Sequence, residues 1–455
     1  MIMKEKETRR EFLKKSGLAA AGLMIGGLNM SAKSYSRIKG ANDRVNVGVI
    51  GFSDRFKNTL LPCLKNHNKE LNFDIIGVSD IWKRRREEGV SYLSDCFGHA
   101  IRGYFNNEEL YRDKDIDAVI ISTADFQHAL HTVEAAENKK DAYVEKPFAE
   151  TMENNRKAKA AVDSSGIILQ IGSQRRSGPN YHAANDYIRS GKFGDIVMAE
   201  MTWNVNQPDR WRRPSLVGAC KAGDVDWQRF LMNRPYVDFD PRKYLEYRLF
   251  WPLSSGIPGQ WMAHQIDTVH WFTGYNHPRS VVANGGIYLW KDGRTNQDTM
   301  TAVMDYGPSN DSTKGFQVLY SSRFTNSAGG TKEIYYSNGG ELNLDTNQIT
   351  SNGYLTRNNA EMMGLKENKL EPFSLENTIK VVAEANTGGD PLTSLHMRNW
   401  MECVRSRKQT NAPVDAGYNH SVACIMVNAA VRTGEKVVFD EKNQEVLTSG
   451  SVFKY

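Results

Sequence analysis

From residue 45 onward, short apolar runs alternate with amphipathic stretches. Val45-Asn46-Val47-Gly48-Val49-Ile50-Gly51 is almost wholly apolar and ends in glycine, the composition of a strand buried on both faces of a parallel sheet. A helix is predicted from about Arg55 to Lys65. Phe73 to Asp80 reads as a second strand, closing on an acid. Ala118 to Thr123 reads as a further strand and His128 to Asn138 as a further helix. Tyr143 and Val144 end another strand, followed by Glu145-Lys146-Pro147. There the proline biases Lys146 away from the helical region and stops the run. Strands alternating with helices predict a doubly wound α/β fold.

The pattern changes in the second half. Ile167 to Gly172 opens a second domain, and a helix from Asn180 to Ser190 is stopped by Gly191. Ile196 to Asn204, Asp298 to Tyr306, Phe316 to Phe324 and Lys332 to Tyr336 alternate in strand style. Ser394–Arg407 and Tyr418–Arg432 read as helices. Residues 205–258 are irregular and rich in aromatics and arginines, among them Trp211, Arg213, Trp227 and Arg248. Two readings of this stretch stay open. It is an excursion packed by its own aromatics, or a platform whose rings cover sugar C–H faces while arginines meet hydroxyls or acids.

The N-terminus stands apart. Arg9-Arg10-Glu11-Phe12-Leu13-Lys14 precedes a modest apolar run from Gly17 to Leu28. That run is too short to span a bilayer, and the arrangement resembles a twin-arginine export signal. A soluble periplasmic protein is therefore expected, with residues 1–42 as signal and linker. This segment also explains the basic balance. Its nine Lys/Arg against three Glu exceed the net +5 of all 455 residues. The rest is close to neutral, so nucleic-acid binding loses its support. Five scattered cysteines show neither Cys-x-x-Cys nor zinc spacing, and no metal site is expected.

Candidate chemistry concentrates at the strand ends. A dinucleotide fingerprint needs three glycines, and only Gly51 is present; the other two positions hold Ser53 and Phe56. The Gly51-Phe52-Ser53 turn can still offer backbone N–H groups to phosphate. Asp80 stands where an acid binds a ribose diol, which points to NAD. The basic run Lys83-Arg84-Arg85-Arg86 leaves NADP open. Lys146, at the carboxyl end of a strand, is placed to enter the crevice where such sheets bind ligands. Downstream, Gln260 and His264 share a helical face, with Asp267 one turn on.

These stretches, in order, resemble the Gfo/Idh/MocA (glucose–fructose oxidoreductase/inositol dehydrogenase) family. They include Gly48-Val49-Ile50-Gly51, Val78-Ser79-Asp80, Ser122-Thr123-Ala124-Asp125-Phe126-Gln127-His128-Ala129 and Glu145-Lys146-Pro147. Gln170-Ile171-Gly172-Ser173-Gln174-Arg175-Arg176 and Ile188-Arg189-Ser190-Gly191-Lys192-Phe193-Gly194 follow. The resemblance implies a Rossmann domain at 43–165 and a substrate-binding and oligomerisation domain at 166–455, with a large, open, mostly antiparallel sheet. It implies that Thr123, Asp125, His128 and Glu145 lie along the cofactor, with Lys146 near the nicotinamide. Arg175, Asn204, Trp261 and Asp267 are assigned to the substrate. A homo-oligomer is expected by the same analogy.

His264 and Asp267 match the family's Asp-x-x-x-His-x-x-Asp pattern, but Gln260 replaces its first acid. An amide cannot take a proton; it can only orient a hydroxyl or an imidazole. Proton transfer is therefore expected of His264, with Lys146 supporting the alkoxide. The implied activity is NAD-dependent oxidation of a hydroxyl on a sugar, polyol or glycoside, with a tightly held cofactor. Two alternatives are a glycoside hydrolase working by transient oxidation and elimination, and a non-catalytic sugar-binding protein of the same fold.

Overall fold

The computed structural model describes residues 43–375 and 390–454. The export signal expected within residues 1–42 lies outside them. Among the described residues no helix is long and apolar enough to cross a membrane.

The apolar runs build a six-stranded sheet of β1 (Val45–Ile50), β2 (Phe73–Ser79), β3 (Arg102–Tyr104), β4 (Ala118–Ile121), β5 (Asp141–Val144) and β6 (Leu169–Ile171). Its order is β3-β2-β1-β4-β5-β6 and every pairing is parallel. This is the doubly wound Rossmann arrangement, whose chain reversal between β1 and β4 opens a crevice at the strands' carboxyl ends. β4 and β5 are buried along their whole length because helices cover both faces. β6 lies beyond residue 165, where the sequence reading opens the second domain, yet it pairs with β5. Its buried Gln170 is satisfied by the His396 carbonyl and the Ala412 N–H.

Among the described residues the second sheet has eleven strands. Its centre is formed by β7 (Ile196–Asn204), β8 (Ser280–Gly286), β9 (Thr299–Tyr306), β10 (Phe316–Arg323) and β11 (Thr331–Ser337). β7 and β10 run parallel, whereas β8–β9, β9–β10 and β7–β11 are antiparallel. Burial alternates along β9 and β10. Met300, Ala302 and Met304 join one core with the Ala263–Thr273 and Val414–Thr433 helices, as one-sided burial requires.

Two features depart from the sequence reading. The predicted Arg55–Lys65 helix begins as a π-helical turn, Phe56–Leu60, before α-helix Leu61–Lys65. The fully buried Phe56 ring fills the space that the fingerprint's third glycine would leave open. Also, the Pro391–Ser406 helix packs on the parallel sheet, with Trp400 against Phe73 and Tyr143. Its apolar face was legible in the sequence; the surface it covers was not.

Candidate active site

A cavity of about 370 Å³ opens at the carboxyl ends of β1, β4 and β5. Gly51 turns the chain there with φ +84°. A Cβ at this residue would meet the Thr123 methyl at 3.0 Å and the Ser122 carbonyl at 3.3 Å. Glycine is thus required both for the backbone conformation and for the close approach. Ser53 accepts a hydrogen bond from Phe56 N through its Oγ at 3.2 Å. Asp80 accepts from Phe52 N at 2.9 Å and Trp82 N at 2.8 Å. Burial nevertheless pushes its carboxyl up to about 6.

Phe52, Ser53, Asp80 and Thr123 all line the cavity. The buried Thr123 Oγ1 has no partner, an orphaned group that a ligand would satisfy. These features fit a dinucleotide, with Asp80 at a ribose diol. Of the basic run, Arg85 faces the cavity but is paired with Asp54 and Glu88, which favours NAD over NADP. Asp80→Asn is expected to lower NAD affinity about 10- to 100-fold by weakening the ribose hydrogen bonds. Titration calorimetry on cofactor-stripped protein measures this.

At the end of β5, Glu145 accepts from Arg55 Nε at 2.9 Å. Burial raises the Glu145 carboxyl, but Arg55 and Lys146 outweigh it and hold the group below its ordinary range. His128 Nδ1 lies 2.7 Å from the Pro147 carbonyl, which ties the histidine to the Lys146-Pro147 turn. Lys146 Nζ donates to the Gln260 carbonyl at 2.6 Å. Burial lowers its ammonium to about 8, against the pull of Glu145 and Asp125. His264 stacks on Trp203 with ring centroids 5.7 Å apart. Burial, with Lys146 and Arg175 nearby, drives its imidazole well below the usual range.

A base works best with a pKa near the operating pH, and Lys146 meets that condition. Burial disfavours the protonated form of His264, which suits its ring to hydrogen-bonding an alcohol.

The remaining sequence candidates separate. Gln260, Arg175 and Trp261 line the cavity with Lys146 and His264. Both ends of the Gln260 amide are engaged: Nε2 donates to Asp125 Oδ2 at 2.5 Å, and Oε1 accepts from Arg248 Nε at 2.9 Å. The Gln260 amide thus meets Asp125 and Arg248 in this structure, not the His264 ring. Asp125 is fully buried behind the wall, bonded to Ser254, Tyr247 and Gln260 rather than set along the cofactor. Asp267 is not among the lining residues either; it forms a two-point ion pair with Arg176, at 2.8 and 3.0 Å. Asn204 is buried at the end of β7, away from the lining. In each case a polar side chain read as ligand-facing finds a protein partner or a buried seat.

Arg55, Trp203 and Arg210 also line the cavity and were missed. They carry no local motif; only the arginine and aromatic enrichment of residues 205–258 hinted at Arg210 and Arg248. That excursion reaches across the crevice. Asp226 N donates to the Ile81 carbonyl at 3.0 Å, Trp82 bridges Val225, and Arg213 pairs with Asp54 at 3.3 Å. Arg213, Leu216 and Tyr244 thereby face the dinucleotide end of the cavity.

Residues 45–173 match the Gfo/Idh/MocA profile, described as the oxidoreductase family with NAD-binding Rossmann fold. The N-terminal domain is thus an NAD-binding Rossmann domain. Over 196 residues the chain is 32% identical to 1,5-anhydro-D-fructose reductase of Ensifer adhaerens, covering 41% of this chain and 56% of that protein. It is 25% identical to inositol 2-dehydrogenase of Salmonella typhimurium over 194 residues, 42% of this chain and 54% of that one. The chain spans about half the length of such curated relatives. Levoglucosan dehydrogenase, solved with NADH and levoglucosan, superposes with a TM-score of 0.60 at 15% identity, over 87% of this chain and 99% of that one. That likeness concerns the fold.

Proposed function

We propose that this protein oxidises a hydroxyl of a sugar, polyol or glycoside with NAD. We further propose that it is exported by the twin-arginine route, works in the periplasm as a homo-oligomer, and keeps its cofactor through turnover. The observation that carries the activity is the Lys146 amine. With its pKa at about 8, it shares one cavity with the Gly51 turn, Asp80 and His264. The names of the matched relatives, a sugar reductase and an inositol dehydrogenase, support the same chemistry. The excursion that crosses the crevice, with its contacts to Asp54 and Ile81, supports a retained cofactor. No observation favours the hydrolase or the non-catalytic alternative.

When bound, NAD supplies the acceptor for the hydride leaving the alcohol carbon. The protein's task is the proton and the geometry. Neutral Lys146 takes the hydroxyl proton as the carbonyl forms, and His264 hydrogen-bonds the same oxygen; the buried Trp261 ring, packed on Trp203 and Phe324, backs the wall. Two measurements test this reading. Mass spectrometry of ligand released from native protein should find NAD. The rate of NAD reduction by a sugar should be low below pH 8 and rise to a plateau above it, because only the unprotonated amine accepts a proton. Absence of nicotinamide, with none captured on titration, overturns the activity; a flat profile across pH 8 overturns the role of Lys146.

A further inference from the structure

One group on the cavity wall is left over by the chemistry above. Arg248 is seated by its Nε, which donates to Gln260 Oε1 at 2.9 Å. The Gln260 amide is itself oriented by Asp125, at 2.5 Å. The guanidinium lies over the Tyr247 ring, 4.6 Å from its centroid. It lines the cavity and acts electrostatically on Lys146. Its ion-pair partner is Asp125, 3.9 Å from Nε, a carboxylate that also accepts from Tyr247, Ser254 and Gln260. No described residue accepts a hydrogen bond from Nη1 or Nη2.

The carboxylates lining the cavity are also committed. Asp54 is held by Arg85 and Arg213, Asp80 by two backbone N–H groups, Glu145 by Arg55, and Asp390 by Thr393. The end that holds Lys146 and His264 therefore presents a fixed guanidinium whose Nη1 and Nη2 find no acceptor among the described residues, its one anion, Asp125, lying at Nε. Gln260 explains how it is held. A carboxylate at 260 would neutralise Arg248 and stand against Asp125, whereas the amide bonds both and leaves the charge of Arg248 facing the cavity.

A guanidinium fork gives two parallel N–H bonds to the two oxygens of a carboxylate. A neutral polyol uses such a fork poorly. A phosphate dianion would call for a second uncommitted cation, and the neighbouring Lys146 amine is needed for the alcohol. We propose that the substrate is a sugar acid, and that Arg248, with Gln260 as its positioning residue, binds the substrate carboxylate while a separate hydroxyl is presented to Lys146. This rests on the oxidoreductase reading and names its substrate class.

The test compares D-glucuronate with D-glucose, D-galacturonate with D-galactose, and D-glucose 6-phosphate with both uronates. NAD reduction is followed by absorbance, and binding to the NAD-loaded protein by calorimetry. One uronate is expected to exceed its neutral hexose about 100-fold in kcat/KM, mainly through KM. In Arg248→Ala that ratio should collapse to within a few-fold, and Arg248→Lys should recover part of it; retained NAD shows that each variant is folded. Equal kcat/KM within both pairs, an unchanged ratio in Arg248→Ala, or a preference for the phosphate sugar overturns the proposal. Arg248-dependent uronate binding without NAD reduction would uphold the sugar-acid site and overturn the oxidoreductase reading. Reduction of NAD by the hexoses without preference for uronates would do the reverse.

Discussion

Replacing Lys146 with alanine is expected to lower kcat about 1,000-fold while leaving NAD bound. General-base catalysis contributes about 10²–10⁴-fold, and in this cavity Lys146 is the titrating group best matched to neutral or mildly alkaline pH. Its ammonium is brought to about 8 by burial, whereas the His264 imidazole lies well below its usual range. Lys146→Arg separates the two roles a lysine can play here. Arginine keeps the positive charge but does not lose its proton in a protein. A base requirement predicts that Lys146→Arg is nearly as slow as Lys146→Ala. A purely electrostatic requirement predicts that it keeps much of the wild-type rate. Single-turnover reduction of bound NAD is the appropriate measurement, because it removes product release from the comparison. More than a tenth of wild-type activity in Lys146→Arg would rule out the base.

The second large effect is on stability. Arg175 and Glu333 form an ion pair with both side chains almost fully buried. Thr268 donates a further hydrogen bond to Glu333 at 2.5 Å, and the Arg175 guanidinium lies 5.6 Å from the Trp203 ring centroid. Glu333→Ala strands a guanidinium in the cavity wall, so a loss of about 3–5 kcal/mol is expected by urea denaturation. The pair's net worth is much smaller than that loss, since both charges had to leave water. Arg175→Met combined with Glu333→Met should therefore be more stable than Glu333→Ala alone. The double variant should still lose activity, because Arg175 faces the cavity that holds His264. A double variant no more stable than Glu333→Ala would show that the packing of these side chains, and not the stranded charge, sets the cost.

Much of the architecture was legible because it is local and periodic. Val45 to Ile50, Ala118 to Ile121 and Ile196 to Asn204 form strands where apolar runs or alternation required them. The helices ending near Arg189, Ser406 and Thr433 also follow their patterns, with the last closed by Gly434 at positive φ. The opening Lys146-Pro147 pair was readable as a strand end facing a crevice. The lowering of its pKa was not, since that depends on burial against segments far along the chain.

Side-chain partnership was the illegible part. Asp125 and Asp267 sit in stretches that suggest ligand contact, yet Asp125 turns to Gln260, 135 residues away, and Asp267 to Arg176, 91 residues away. Arg248 looked like one arginine in an irregular excursion, and the Gln260 amide gives it a fixed direction. The reason is physical. Backbone periodicity and turn chemistry act over a few residues, so the sequence alone determined the strands, the Gly51 turn and the place of Lys146 at a strand end. Which buried charge meets which is decided by distances that exist only after two sheets and the intervening helices have packed. Tertiary structure alone therefore committed Asp125 to Gln260 and Ser254, left Arg248 facing the cavity, and lowered the Lys146 ammonium to about 8 by burial.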